Sequence, residues 1–212
     1  MKESVCPTRD RKIPNILTNN LLRHLFSPPG RLLEKYVGRG ERAADLGCGA
    51  GFHTLPMARI VGGEGRVYAV DFDPKAIARL ERQVKRRGYD HIIESRTASA
   101  SAIDFIESRS IHFVLAEGLL CCMTDHAGVV RQIRRILHPA GRAYLSVIKL
   151  ARADDPRAVS RETWKLLLSS FRLLGSGEGL LTRWALVGPG EGGSSAEPLF
   201  EETVHTGRLP CC

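Results

Sequence analysis

The sequence predicts an α/β protein built on a doubly wound parallel sheet with helices on both faces. Three observations predict it. Short apolar runs alternate with segments whose apolar residues recur at helical spacing. A glycine-rich bend, Gly47-Cys48-Gly49-Ala50-Gly51, follows directly on the first apolar run, Ala43 to Leu46. A second apolar run, Arg66-Val67-Tyr68-Ala69-Val70, ends in Asp71, about 20 residues beyond the bend, where an acid reaches ribose hydroxyls. Glycines let a backbone turn sharply and approach a ligand closely, because they lack Cβ and tolerate positive φ. Together these features describe a nucleoside-binding βαβ unit.

The elements follow in order. Residues 1–13 are polar and are expected to be flexible. Asn15 to Phe26 carries apolar residues at helical spacing (Ile16, Leu17, Leu21, Leu22, Leu25) and stops at Ser27-Pro28-Pro29-Gly30. A short helix is expected over Arg31 to Val37. The helices within residues 14–37 either fold over the ligand mouth as a lid or pack on the sheet. The first strand is Arg42 to Leu46. A helix from about Phe52 to Val61 tolerates Pro56 in its first turn and closes at Gly62-Gly63-Glu64-Gly65. The second strand is Val67 to Val70. Asp73-Pro74 supplies the cap and first residue of the next helix, which Gly88 ends. His91 to Arg96 is the third strand. Ile111 to Ala116, apolar apart from His112, reads as a buried fourth strand. Asp125 caps a helix to about Leu137, stopped by His138-Pro139-Ala140-Gly141, and Ala143 to Ile148 is the fifth strand. A helix over Val159 to Ser169 precedes an antiparallel pair, Phe171 to Leu174 and Leu180 to Val187, joined by a turn at Gly175-Ser176-Gly177-Glu178-Gly179. Residues 188–212, rich in Gly, Pro, Ser and Glu, are expected to be a disordered tail.

Composition narrows the class. The 212 residues suffice for one substantial core, and 43% hydrophobic with 25% charged residues is ordinary for a soluble globular domain. No stretch approaches the roughly 18 consecutive apolar residues of a membrane span. No signal-peptide apolar region is present, so a cytoplasmic location is expected. The cysteines (Cys6, Cys48, Cys121, Cys122, Cys211, Cys212) form neither a C-x-x-C pair nor a secreted disulfide framework. No metal site is therefore expected, and Cys48, Cys121 and Cys122 read as small buried thiols. The net charge of +8 makes a nucleic-acid partner conceivable. Yet the densest basic run, Arg79 to Arg87, alternates with Ile77, Leu80 and Val84 as the wet face of an amphipathic helix. Arg131, Arg134 and Arg135 read the same way, and few aromatics interleave with the charges as base stacking requires.

The bend also selects its ligand. Dinucleotide enzymes use G-x-G-x-x-G, with a pyrophosphate at the helix N-terminus. Here the pattern is G-x-G-x-G, Phe52 stands where the third glycine of that motif would fall, and Asp45 precedes the first glycine. A carboxylate repels a pyrophosphate and attracts an ammonium and a sulfonium. S-adenosyl-L-methionine carries both cations and no phosphate.

The segments Asp45 to Gly51 (DLGCGAG), Tyr68 to Pro74 (YAVDFDP) and His112 to Gly118 (HFVLAEG) resemble those of class I S-adenosylmethionine-dependent methyltransferases. The similarity runs from about Pro14 to Val187 and looks closest to small stand-alone enzymes of the ubiquinone/menaquinone and arsenite branches. The resemblance implies a three-layer Rossmann-like domain whose seven strands run in the order 3-2-1-4-5-7-6, strand 7 antiparallel. It implies that Gly47, Gly49 and Gly51 wrap the methionine part of the cofactor and that Cys48 contributes backbone there. Asp71 would hold the ribose hydroxyls and Phe72 the adenine face. Asp45 either accepts from the cofactor ammonium or is a structural carboxylate. Ser99 stands where many relatives carry an Asp toward the adenine amino group, supplying a hydroxyl without charge, beside the backbone of Ala100. His112 replaces an acid common at that strand start and reads as structural. Glu117 falls beside the methyl donor, placed to bind through its carbonyl, to sense the sulfonium or to meet a cationic substrate, unless it only opens a core helix.

Methyl transfer from a sulfonium is an in-line displacement, and a general base is needed only where the nucleophile must lose a proton. His24, His53, Glu117, Asp125 and His126 are candidates for substrate contact, but no pair has diagnostic spacing, so no catalytic residue is assigned. Adjacent Cys121 and Cys122 would suit a soft As(III) centre. The expected acceptor is a small molecule. The alternatives are an RNA or protein methyltransferase and a non-catalytic S-adenosylmethionine-binding subunit.

Overall fold

Chain alternation dictates the architecture, since each parallel strand needs a crossover to reach the next. The computed structural model describes residues 29–149 and 155–190. The segment 1–13, the helix expected over Asn15 to Phe26 and the tail from 191 onward lie outside the described residues. The elements are α1 (Pro29–Tyr36), β1 (Arg42–Leu46), α2 (Thr54–Val61), β2 (Arg66–Asp71), α3 (Pro74–Arg87), β3 (Ile93–Thr97), β4 (Ile111–Glu117), a 3-10 turn at Leu120–Cys122, α4 (His126–Ile136), β5 (Leu137–Ile148), α5 (Arg161–Leu168), β6 (Phe171–Glu178) and β7 (Thr182–Pro189). They form one seven-stranded sheet in the order β3-β2-β1-β4-β5-β7-β6. β7 runs antiparallel to both its neighbours, β5 and β6.

Local chemistry starts and stops the helices where the sequence places the signals. Asp73 accepts from the N–H of Lys75 at 3.2 Å, with Pro74 in the first turn, and Gly88 closes α3 in the left-handed conformation at φ 67°. Asp125 accepts from the N–H of Gly128 at 2.8 Å to cap α4. Ser160 accepts from the N–H of Thr163 at 3.0 Å to cap α5. On α3, Ile77, Leu80 and Val84 are buried while Arg79, Arg82, Lys85, Arg86 and Arg87 are exposed, the division the periodicity predicts.

Two apolar layers sandwich the sheet. On one face Ala44, Leu46, Tyr68, Val70, Val114 and Ala116 pack against Ile133 and Ile136 of α4 and Trp164 and Leu167 of α5. On the other, Ala43, Val67, Ala69, Phe113 and Leu115 pack against Leu33 of α1, Met57 and Ala58 of α2, and Ile77 and Leu80 of α3. Successive strand residues point to opposite faces, so the acids at the strand ends inherit a face from this alternation.

Several expectations need correction. The residues His138-Pro139-Ala140-Gly141 do not separate helix from strand: β5 begins at Leu137, directly after α4. They form an irregularity in the ladder, in which Ile111 pairs with Leu137 but Phe113 with Arg142. Gly141 is required there because a Cβ would lie 2.7 Å from the carbonyl oxygen of Ile111 and 3.0 Å from that of His138. Gly175 and Gly177 belong to strand β6 rather than to the turn. The indole of Trp184 lies across them, and a Cβ on Gly177 would come within 2.7 Å of its Nε1. The hairpin therefore turns at residues 179–181, and β7 continues to Pro189. Arg135 is no solvated residue: its guanidinium donates to the carbonyls of Ile106 (2.7 Å) and Ile103 (2.9 Å) and to Gln132 Oε1 (2.8 Å), and so pins the β3–β4 connection. His112 sits at the end of the sheet remote from the acids, within reach of the N–H of Arg42 (3.4 Å) and stacked on His138.

Gly141→Ala is expected to destabilise the protein by about 1–3 kcal/mol, because the added methyl meets backbone that cannot move aside. A lowered urea midpoint with an unchanged slope checks this.

Candidate functional site

The carboxyl ends of β1, β2 and β4 carry Asp45, Asp71 and Glu117. By alternation all three share the face covered by α1, α2 and α3, because their neighbours two residues back, Ala43, Ala69 and Leu115, belong to that core layer. Asp45 pairs in register with Ala69 and with Leu115. Asp71 and Glu117 therefore project one pleat beyond Asp45, on either side of the chain as it leaves β1. The crevice where strand order reverses, between β1 and β4, is where open α/β sheets bind ligands.

The glycine bend occupies the middle of this end. The N–H groups of Gly47 and Cys48 both donate to the carbonyl of Val70, at 2.8 and 3.0 Å. Gly49 then turns its N–H to Asp71 Oδ2 at 2.9 Å, while Asp71 Oδ1 accepts from the N–H of Asp73 at 2.9 Å. Gly51 has φ +94°, and a Cβ there would stand 2.5 Å from Leu80 Cδ1. No other residue combines that backbone with that closeness to α3. Asp71 thus holds the bend through Gly49 and the start of the next turn through Asp73.

Asp45 lies beneath. It is buried (3% exposed) and accepts from Thr54 Oγ1 at 2.6 Å. Its partner is the first residue of α2, which ties β1 to the helix after the bend. Burial raises its pKa above the ordinary 3.8; the charge of His53 and the Thr54 hydrogen bond oppose the rise, and Glu117 and Asp71 reinforce it. The Cys48 thiol is pushed up strongly, first by burial and then by Asp45 and Asp71, so it is no thiolate nucleophile. The acids that raise Asp45 and Cys48 concentrate negative potential here, which favours a bound cation.

Sequence spacing did not reveal one pair. His53, the residue before α2, brings Nε2 against Oε2 of Glu117. The imidazole is edge-on to Phe52, with centroids 4.8 Å apart, and its Nδ1 is buried without a hydrogen-bond partner among the described residues. Nearby, Tyr144 of β5 stacks on Trp184 and is raised to about 12 by burial, with contributions from Glu117 and Tyr36. Phe72 directly follows Asp71, at the mouth. Ser99 and Ala100 lie after β3, beside Asp71, whose carbonyl accepts from the N–H of Ala98 at 3.0 Å. The Ser99 hydroxyl is 2.9 Å from that of Ser101, and Ala100 is buried in the core.

The remaining candidates are otherwise engaged. Asp125 caps α4, and His126 Nε2 lies 2.9 Å from the carbonyl oxygen of Leu120. The thiols of Cys121 and Cys122 both point to the carbonyl of Gly118, at 3.2 and 3.4 Å. His24 lies outside the described residues. Among those described, no group of three or more His, Cys, Asp or Glu side chains could hold a metal ion, and no helix is long and apolar enough to cross a membrane.

Comparison with known proteins agrees with this geometry. Residues 44–145 match the family described as methyltransferase domain. The demethylmenaquinone methyltransferase of Geobacillus stearothermophilus is 29% identical over 119 residues, 56% of this chain and 50% of that relative. The ribosomal protein L11 methyltransferase of Thermotoga neapolitana is 28% identical over 136 residues, 64% of this chain and 48% of that relative. The chain thus spans about half the length of these curated relatives. A crystal structure of a SAM-dependent methyltransferase from Aquifex aeolicus superposes with a TM-score of 0.69 at 18% identity, covering 81% of this chain and 94% of that one. Residues 44–145 thus match a methyltransferase domain, and the fold is that of class I S-adenosylmethionine-dependent methyltransferases, whose cofactor is S-adenosylmethionine.

Asp45→Asn is expected to stabilise the ligand-free protein near neutral pH. A carboxyl whose pKa is raised on folding contributes stability below its unfolded pKa and loses it as pH rises through the raised value. The gain in melting temperature over wild type should therefore open as pH climbs above about 3.8 and vanish below it; thermal scans from pH 3 to 8 check both limbs.

Proposed function

We propose that the protein transfers a methyl group from S-adenosylmethionine to a small-molecule acceptor. The observation that carries the reading is the set Asp45, Asp71 and Glu117, on one face of the sheet around the glycine bend. That arrangement suits a cationic nucleoside and repels a pyrophosphate. Gly47, Gly49 and Gly51 would offer backbone to the methionine part, with Cys48 contributing only main chain. Asp71 would receive the ribose hydroxyls, Phe72 would pack on the adenine, and Ser99 with the backbone of Ala100 would line its edge. Asp45 would act from beneath, through charge and by anchoring α2. The bound cofactor supplies an electrophilic methyl carbon on a good leaving group.

The work left to the chain is alignment and exclusion of water, which can supply about 7–11 kcal/mol of the barrier. A small-molecule acceptor is supported by relatives named for demethylmenaquinone and for aklanonic acid. A labelling experiment separates small-molecule from protein and RNA acceptors: transfer from labelled S-adenosylmethionine into an extract is resolved by molecular size.

Calorimetry should show adenosylhomocysteine binding and NADH giving no heat; the reverse result would remove the proposal. Asp71→Asn, which cannot accept at both oxygens, should weaken adenosylhomocysteine at least about 10-fold, the equivalent of one charge-assisted hydrogen bond.

A further inference from the structure

His53 and Glu117 are 64 positions apart in the chain, and folding sets them against each other at the methyl-transfer end of the sheet. A ring nitrogen and a carboxylate oxygen in close contact need a proton between them, because two lone pairs would repel. Nε2 is therefore the nitrogen that carries the hydrogen, in close contact with Oε2 of Glu117 though not as an aligned hydrogen bond. Nδ1 is left buried and without a hydrogen-bond partner among the described residues. The two members of the pair are unequally placed. The His53 side chain is 12% exposed and that of Glu117 31%. Glu117, at the last position of β4, is the member that opens to the crevice, and His53 stands behind it. A buried imidazole nitrogen that no structural hydrogen bond explains is often functional, and His53 Nδ1 is one.

Resting on the methyltransferase reading above, we propose that Glu117 is the general base for the acceptor and His53 its positioning residue, so that the acceptor is one whose attacking atom bears an acidic proton, such as a phenol or enol, rather than a tertiary amine or a thioether. The acceptor's X–H bond breaks with its electron pair kept by X, which forms the new bond to the methyl carbon as the carbon–sulfur pair leaves with sulfur. The proton passes to the Glu117 carboxylate, giving a neutral carboxyl still held by the Nε2–H of His53, and is later lost to solvent. The charged and titratable groups facing the pair are Asp45 from β1, which couples to both members, Asp71 from β2 through Asp45, and Tyr144 from β5, which couples to Glu117 and to Tyr36 of α1.

The test has two arms on the full chain. In the first, tritium is followed from methyl-labelled S-adenosylmethionine into the small-molecule fraction of a cell extract across pH 5.5 to 9. Wild type should show a rising limb. Glu117→Gln should lose at least about 100-fold and the limb with it, as expected for a removed general base. Glu117→Asp should keep the limb at reduced rate, and His53→Gln should displace it. In the second arm, proton spectra of the protein with 15N-labelled histidine and adenosylhomocysteine should show a strongly deshielded Nε2–H for His53, absent from Glu117→Gln. Adenosylhomocysteine calorimetry on wild type and each variant separates lost chemistry from a lost fold or cofactor site. If all bind it, yet Glu117→Gln keeps the wild-type rate and limb, or the deshielded proton is missing from wild type, the proposal is overturned while the methyltransferase reading stands. If wild type does not bind adenosylhomocysteine, both fall together.

Discussion

Side-chain alternation along the parallel strands is the constraint on which the whole site depends. A strand shows one face at every second residue. In β1, β2 and β4 the residues that end on the α1–α3 face are Asp45, Asp71 and Glu117, each two positions beyond a buried small or apolar residue of that layer. A shift of one residue in any of these strands would send its acid into the opposite core of Leu46, Val70 and Ala116. The apolar residues that set the register thereby also set the charge distribution. Core packing and the negative well above it are one arrangement seen from two ends.

The cluster is assembled against electrostatic preference. Asp45 is buried among other acids, and its hydrogen bond to Thr54 and the neighbouring His53 offset only part of that cost. Asp71 does mechanical work as well: through the Gly49 amide it holds the bend in a conformation that Gly51 alone can adopt so near Leu80. Such a site is less stable than an apolar one of the same shape, and a cation entering it relieves the repulsion.

The far side of the sheet solves a separate problem. β7 enters antiparallel between β5 and β6, and Trp184 on it needs flat ground on β6, which Gly175 and Gly177 provide. Its stacking on Tyr144 ties this antiparallel corner to β5, next to Glu117. Arg135 does the equivalent on the opposite layer, binding α4 to the β3–β4 connection through hydrogen bonds of its guanidinium to the carbonyls of Ile103 and Ile106 and the Ser108 hydroxyl. Both features hold the parallel core, and hence the acids, in place.

Much of this was written in the chain. The glycine bend, the acids after each apolar run, the caps at Asp73 and Asp125 and the alternation of strand and helix are local signals, and local signals survive reading in one dimension. The strand order came with family resemblance rather than with periodicity. What sequence reading missed had long-range partners: Gly141 against the backbone of Ile111, Gly177 under Trp184, Arg135 turned to carbonyls of a distant loop, and His53 against Glu117. A glycine in a strand looks like a turn until the residue across the ladder is known, and an arginine on a helix looks solvated until a loop folds over it. Residue types and short spacings are properties of the chain and can be read from it. Which side chains share a crevice is decided only when strands pair and helices close over them, because that contact depends on register and face, which no local segment carries.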